Sequence, residues 1–178
     1  MWIFDATPLI YLAKARRLKL VTTLDGRCVL PERVHAEVVA SGLDGGYPDA
    51  RRIERRIDEG VLEVASVEET DVSERLDRNP DLSDADVSVL AHAAAVDGIA
   101  VMDDAYGRNA ADVEGIETRG TAYVVLLAAK KGEIDADEAR ETIDAMVDRG
   151  WYCAPDVYAR IVRTIESLAD RSNAGGKR

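Results

Sequence analysis

MWIFDATPLI, residues 1–10, decides the fold. Trp2, Ile3 and Phe4 are an apolar run with aromatic and β-branched side chains, suited to a parallel strand buried on both faces. The run delivers a carboxylate, Asp5, and then breaks at Ala6, Thr7 and Pro8. Thr7 followed by Pro8 predicts a helix N-cap and a first-turn proline, so a helix starts at once. In open α/β sheets, ligands bind in the crevice outside the carboxyl ends of the strands, which makes an acid at that edge a candidate functional group.

Outward from this unit the pattern repeats. Residues 28–30 read as a second strand, and Pro31 opens a helix running to about residue 41 and closed by Gly42. Residues 48–60 predict a helix with Ile53 and Ile57 inward, and 61–67 a strand. The strongest helix spans 82–97, with Ser83 as N-cap and Asp86 three residues on, the spacing of a capping box. Residues 99–102 form another short apolar strand that runs straight into Asp103 and Asp104. After a strand near 115–119, Thr121 caps a nearly all-apolar helix, and two amphipathic helices follow at about 135–149 and 155–170. Strands alternating with such helices imply an α/β fold, a parallel sheet wrapped by helices. Residues 1–170 read as a single domain and the polar segment 171–178 as a disordered tail.

At 178 residues the chain can bury a core without disulfides or a structural metal. Its two cysteines, Cys28 and Cys153, lie far apart among apolar neighbours and read as reduced thiols, as expected of a cytoplasmic protein. There is no basic leader, and the most apolar stretch, 122–129, is far too short to span a membrane. The net charge of −11 argues against indiscriminate attraction of nucleic acid. Twenty Asp and 14 Glu against 18 Arg and only 5 Lys point to a halophilic source. In molar salt, exposed charges are screened beyond roughly 3 Å, so net charge then says little about partners.

Acids stand at recurring places. Asp5 and the pair Asp103 and Asp104 end strands, Asp86 leads the apolar stripe of its helix, and Glu37 shares a helical face with Val34, Val38 and Ser41. Carboxylates converging at one sheet edge repel one another unless a cation offsets them. Mg²⁺ or Mn²⁺, hard ions that keep open positions for water and phosphate oxygens, suit such a set. Zinc does not, because His35 and His92 are the only histidines and neither has a cysteine at ligand spacing. Arg51, Arg52, Arg55 and Arg56 cover one arc of a helix, and Lys14, Arg16, Arg17 and Lys19 follow the first helix. These are either solvated faces or a grip for phosphates.

With these residues in view, the chain resembles the PIN domain nuclease superfamily, in particular its archaeal and bacterial branch related to toxin ribonucleases of the VapC type. The resemblance is carried by IFDATPLIYLAKA, VLPERVHAEVV, GYPDARRIERRIDEG, LSDADVSVLAHAA, VMDDAYGRNAA and GTAYVVLLAAKKGEID, in that order along nearly the whole chain. It implies a three-layer α/β/α sandwich with a central parallel sheet, here with extra C-terminal helices. It also implies an acidic cluster that binds Mg²⁺ or Mn²⁺ for RNA hydrolysis, leaving 5′-phosphate and 3′-hydroxyl ends. Asp5, Glu37, Asp86 and Asp104 match the family's acids, and Thr7 its Ser/Thr position. Asp103 doubles the last acidic site, so the metal ligands are expected among Asp5, Asp86, Asp103 and Asp104. Asp84 falls where the branch commonly has glutamate after a glycine, here replaced by Ser83. The implied partners are an RNA substrate, a small antitoxin protein and a second copy of the chain. Two other readings stand beside it: a catalytically silent PIN-like scaffold that binds RNA or protein, and an aspartyl phosphotransferase. The latter wants a second acid where Thr7 stands.

Overall fold

A computed structural model describes residues 1–175, with side chains described as far as Asp170. Five parallel strands, β1 (Trp2–Phe4), β2 (Cys28–Pro31), β3 (Glu63–Ala65), β4 (Ile99–Val101) and β5 (Glu117–Arg119), form one sheet in the order β3-β2-β1-β4-β5. Parallel neighbours require crossover connections, and helices supply them. α1 (Ala6–Lys14) links β1 to β2. α2 (Glu32–His35), α3 (Ser41–Asp44) and α4 (Pro48–Asp58) link β2 to β3. α5 (Asp71–Leu76) and α6 (Asp84–Ala95) lead to β4, and α7 (Ala105–Glu114) to β5. α8 (Thr121–Lys131), α9 (Ala136–Asp148) and α10 (Pro155–Gly175) complete the chain, and together the elements make the three-layer α/β/α arrangement. α10 runs on to Gly175 through part of the expected tail, and residues 176–178 lie outside the described residues. Among the described residues no helix is long and apolar enough to cross a membrane.

The strand order fixes where a site belongs. The chain builds outward from β1 to β2 and β3, then returns to the other side of β1 with β4 and β5. The reversal leaves a crevice at the carboxyl ends of β1 and β4, where Asp5, Asp103 and Asp104 follow. The Asp5 N–H still donates to Val101 O at 3.0 Å, so the ladder holds Asp5 at that edge. Beneath it Ile3, Phe4, Leu30, Ala100, Val101 and Met102 are fully buried, the continuous apolar filling that a sheet covered on both faces needs. Both cysteines are free, and burial pushes the Cys28 thiol up to about 11, which keeps it an inert core residue.

Three local expectations are corrected. Thr7 is not the N-cap of α1: Asp5, in extended conformation, takes that place and the helix begins at Ala6. Asp5 alone separates strand from helix, and Pro8 is tolerated because first-turn N–H groups have no intrahelical acceptor anyway. Thr121 is likewise the first residue of α8, whose N-cap is Gly120. The helix after β2 does not stop at Gly42. It continues to Asp44 through a π-turn, Ala36–Ala40, where Ser41 Oγ donates to Ala36 O at 3.1 Å. The inserted residue breaks the regular stripe, so that Val34, Val38 and Val39 are buried while Glu37 is exposed. Gly42 instead permits close packing on α4, since a Cβ there would lie 2.6 Å from that of Ala50.

α1 ends in an unusual way. Arg16 N–H donates to Ala13 O and Arg17 N–H to Leu12 O, the two bonds of a Schellman motif, with Arg16 at φ 58 in the left-handed position that glycine normally fills. A non-glycine residue there costs about 1–2 kcal/mol. Upstream, Leu9 and Leu12 are fully buried in the chain's own core, whereas Ile10 and Tyr11 are half-buried.

Candidate metal centre

Asp5 is the buried member of the site, with 6% of its surface exposed. Burial is the main force pushing its carboxyl up to about 7, with the Ala6 amide pulling the other way and the charges of Asp86, Glu37 and Asp103 pushing it higher. Four acids from four segments therefore share one field: β1 supplies Asp5, the π-turn Glu37, α6 Asp86 and the end of β4 Asp103.

Each neighbour is positioned by its own contacts. Asp86 closes the capping box of α6: its Oδ2 accepts from Ser83 N at 2.9 Å and from Ser83 Oγ at 2.6 Å. Helix capping and proximity to Asp5 coexist, because the cap engages one carboxylate oxygen and leaves Oδ1. Asp103 is gripped harder. Its Oδ1 accepts from Thr121 N at 2.8 Å, and its Oδ2 accepts from Thr121 Oγ1 at 2.6 Å and Trp151 Nε1 at 2.7 Å. Asp104 turns the other way, with Oδ2 accepting from Gly107 N at 2.6 Å as the N-cap of α7. Successive side chains of an extended segment point to opposite sides, so only one of two adjacent acids can face the crevice. Thr7 is half-buried at the second position of α1, and among the described residues its hydroxyl has no hydrogen-bond partner. Asp84 is exposed and ion-paired to Arg33 at 2.9 Å, beside a depression that both share with Glu37 and Ser83.

Residues 1–167 match the family described as DUF3368, PIN domain. The chain is a PIN domain. The acids of this PIN domain thus sit at its β1–β4 crevice, where the strand order alone would place a ligand. A search of the curated proteins found no match. Among solved structures, the chain is similar to a chain of VapBC-1 from nontypeable Haemophilus influenzae, at 14% identity and TM-score 0.47, over 67% of this chain and 97% of that one.

The donor set fits a hydrated hard cation. It is all oxygen, and burial, with three nearby carboxylates adding to it, raises the Asp5 carboxyl to about 7. Yet among the described residues no three His, Cys, Asp or Glu side chains gather tightly enough to ligate one ion directly. Mg²⁺ and Mn²⁺ characteristically keep several waters and use only one or two carboxylates. Asp5, Asp86 and Asp103 could hold such an ion partly through water.

Two residues of the site carried no functional signal in the sequence reading. Thr121 was legible only as a cap and Trp151 carried no reading of its own, although a buried indole N–H must find an acceptor and that requirement alone could have marked it. The basic residues separate. Arg17 pairs with Glu138, and Lys14 lies over the Tyr11 ring. Arg51 is exposed, whereas Arg52, Arg55 and Arg56 line a groove with Arg16, Leu18 and Lys19. That groove lies at the far end of α1 from Asp5, because Arg52 Nη1 donates to Ala13 O at 3.2 Å, in the last turn of the helix.

Proposed function

We propose that this PIN domain is a metal-dependent ribonuclease whose centre is Asp5, Asp86 and Asp103, with Glu37 at its rim. The observation that carries the reading is the buried Asp5 carboxyl, raised to about 7 by burial and by three neighbouring acids. A purely structural carboxylate at that position would gain a cationic or hydrogen-bonding partner. Apart from the Ala6 amide, this one gains neighbouring negative charge, a repulsion that a bound cation would relieve.

A divalent cation there supplies positive charge to offset the attacked phosphoryl group and lowers the pKa of a water. The chain's own residues do the rest. Asp5 and Asp86 present oxygens left over from their structural bonds, and Asp103 is oriented by Thr121 and Trp151 so that it cannot swing away. Thr7 offers an unengaged hydroxyl beside Asp5 for orienting a water or the substrate. No side-chain nucleophile is required, because a metal-bound water can attack the phosphoryl group.

The test is cleavage of single-stranded and structured RNA by purified protein in high KCl with Mn²⁺, Mg²⁺ or EDTA. Cleavage with metal that stops in EDTA supports the reading; RNA bound but never cut under any metal makes the protein a silent scaffold. The toxin role, with a small antitoxin as partner, predicts growth arrest on expression that Asp5→Asn relieves.

Gly120→Ala probes the support of Asp103. At φ −91 any residue is allowed, but the added Cβ would lie 2.9 Å from Asp103 Oδ1. The carboxylate must shift by a few tenths of an ångström or more, and displacements of this order at a reacting centre lower rates by roughly tenfold to a hundredfold. The expected result is that loss of cleavage rate with an unchanged circular dichroism spectrum; a parent-like rate would show that Asp103 need not stay where it is.

A further inference from the structure

In a chain of net charge −11, five cationic side chains gather in one groove: Arg16 and Lys19 from the turn after α1, and Arg52, Arg55 and Arg56 from α4. Among the described residues Glu59 is the only carboxylate paired with any of them, accepting from Arg55 at 2.8 Å and from Arg56, while Arg52 donates to the backbone Ala13 O. Among the described residues Arg16, Lys19 and Arg52 make no ion pair. Glu59 thus answers only two of the five cations, and the other three stand without a carboxylate partner, unlike Arg27 with Glu63 and Arg75 with Glu114 elsewhere on the surface.

Arg16 adds a second, independent observation. It holds the Schellman position at φ 58, where glycine would close the helix without strain. An outlier of that kind persists where the side chain has work elsewhere, and the Arg16 side chain lines the groove. Arginine suits the task because its guanidinium contacts phosphate bidentately and cannot lose its charge.

We infer that this groove is an RNA exosite, gripping the backbone of the substrate strand away from the bond that is cut. The inference rests on the ribonuclease reading. α1 separates the groove from Asp5 by its full length, about 15 Å at the helical rise per residue. A strand held at both ends must therefore be several nucleotides long. A small phosphodiester reaches the acids without touching the groove, whereas an oligonucleotide uses both.

The experiment uses three proteins, the parent, Arg16→Gly and Arg16→Gly/Arg52→Gln, and measures anisotropy of a labelled single-stranded RNA of about a dozen nucleotides in EDTA, so that cleavage plays no part. The double variant is expected to bind about tenfold or more weakly, with a salt slope shallower by about 1.4, the value for two lost phosphate contacts on a single strand. Arg16→Gly alone should weaken binding while its melting temperature stays equal or rises, which loss of fold cannot mimic. Equal affinity and salt slope in all three overturn the exosite. So does unchanged RNA affinity with lost binding of poly-L-glutamate, which would assign the groove to an acidic protein. Cleavage of bis(p-nitrophenyl) phosphate with Mn²⁺ separates the two readings. If no protein cleaves it or RNA, yet the variants lose RNA affinity, the ribonuclease reading fails and the groove stands. If the parent cleaves both and the double variant keeps the parent KM for RNA, the groove fails and the ribonuclease stands.

Discussion

Asp5→Asn is expected to abolish metal-dependent cleavage while making the metal-free protein more stable. The substitution keeps the size of the side chain and an oxygen for the Ala6 amide, but removes the charge that attracts the cation. A loss of about a thousandfold or more in rate is the scale on which one member of a catalytic set acts. The stability effect follows from the carboxyl raised to about 7 in the fold, against about 3.9 for an unperturbed aspartate. Between those values the folded chain holds a proton that the unfolded chain has released, so stability falls as pH rises from about 4 to 7 and stays low above it. The penalty at pH 8 is roughly 4 kcal/mol. In a domain of this size it corresponds to a melting-temperature gain of about 10 °C for Asp5→Asn. At pH 4 the two proteins should melt alike. Thermal scans of both in EDTA across that range check the sign; a variant that melts lower than the parent at pH 8 would mean that Asp5 has a stabilising partner in the fold.

Asp103→Asn and Asp104→Asn should part company. Asp103 accepts three hydrogen bonds and shares the field of Asp5, whereas Asp104 caps α7. Asparagine in place of Asp103 loses the charge toward the cation and turns one donor toward another among Thr121 N, Thr121 Oγ1 and Trp151 Nε1. Cleavage should fall about a thousandfold and stability by about 1–3 kcal/mol. Asparagine is as good an N-cap as aspartate, so Asp104→Asn should keep stability within about 0.5 kcal/mol and activity within a fewfold. Parallel kinetics and melts of the two variants give the answer, and the reverse ranking would move the centre to the α7 side.

Much of this was legible in the chain because the local signals agree with the global fold. Each interior strand is a short apolar run, and the Ser83–Asp86 box and Pro48 mark helix starts that the structure keeps. The crevice acids could be read as a set because a strand end fixes where its next side chain goes. Three things were not legible. Choosing between Asp103 and Asp104 requires knowing which side of an extended pair faces α8, and that depends on packing by Thr121 and Trp151 from far along the chain. The π-turn that turns Glu37 outward adds a single residue to a helix and leaves no compositional trace. The basic groove needed the contact between α4 and the end of α1, which joins residues 39 positions apart and places the arginines away from the acids rather than over them.

The most direct test of the centre is calorimetric titration of Mn²⁺ into the protein near pH 7.5. The account predicts one saturable site in the parent, lost in Asp5→Asn and retained in Asp104→Asn. The absence of saturable binding in the parent, or the same isotherm from parent and Asp5→Asn, would contradict it.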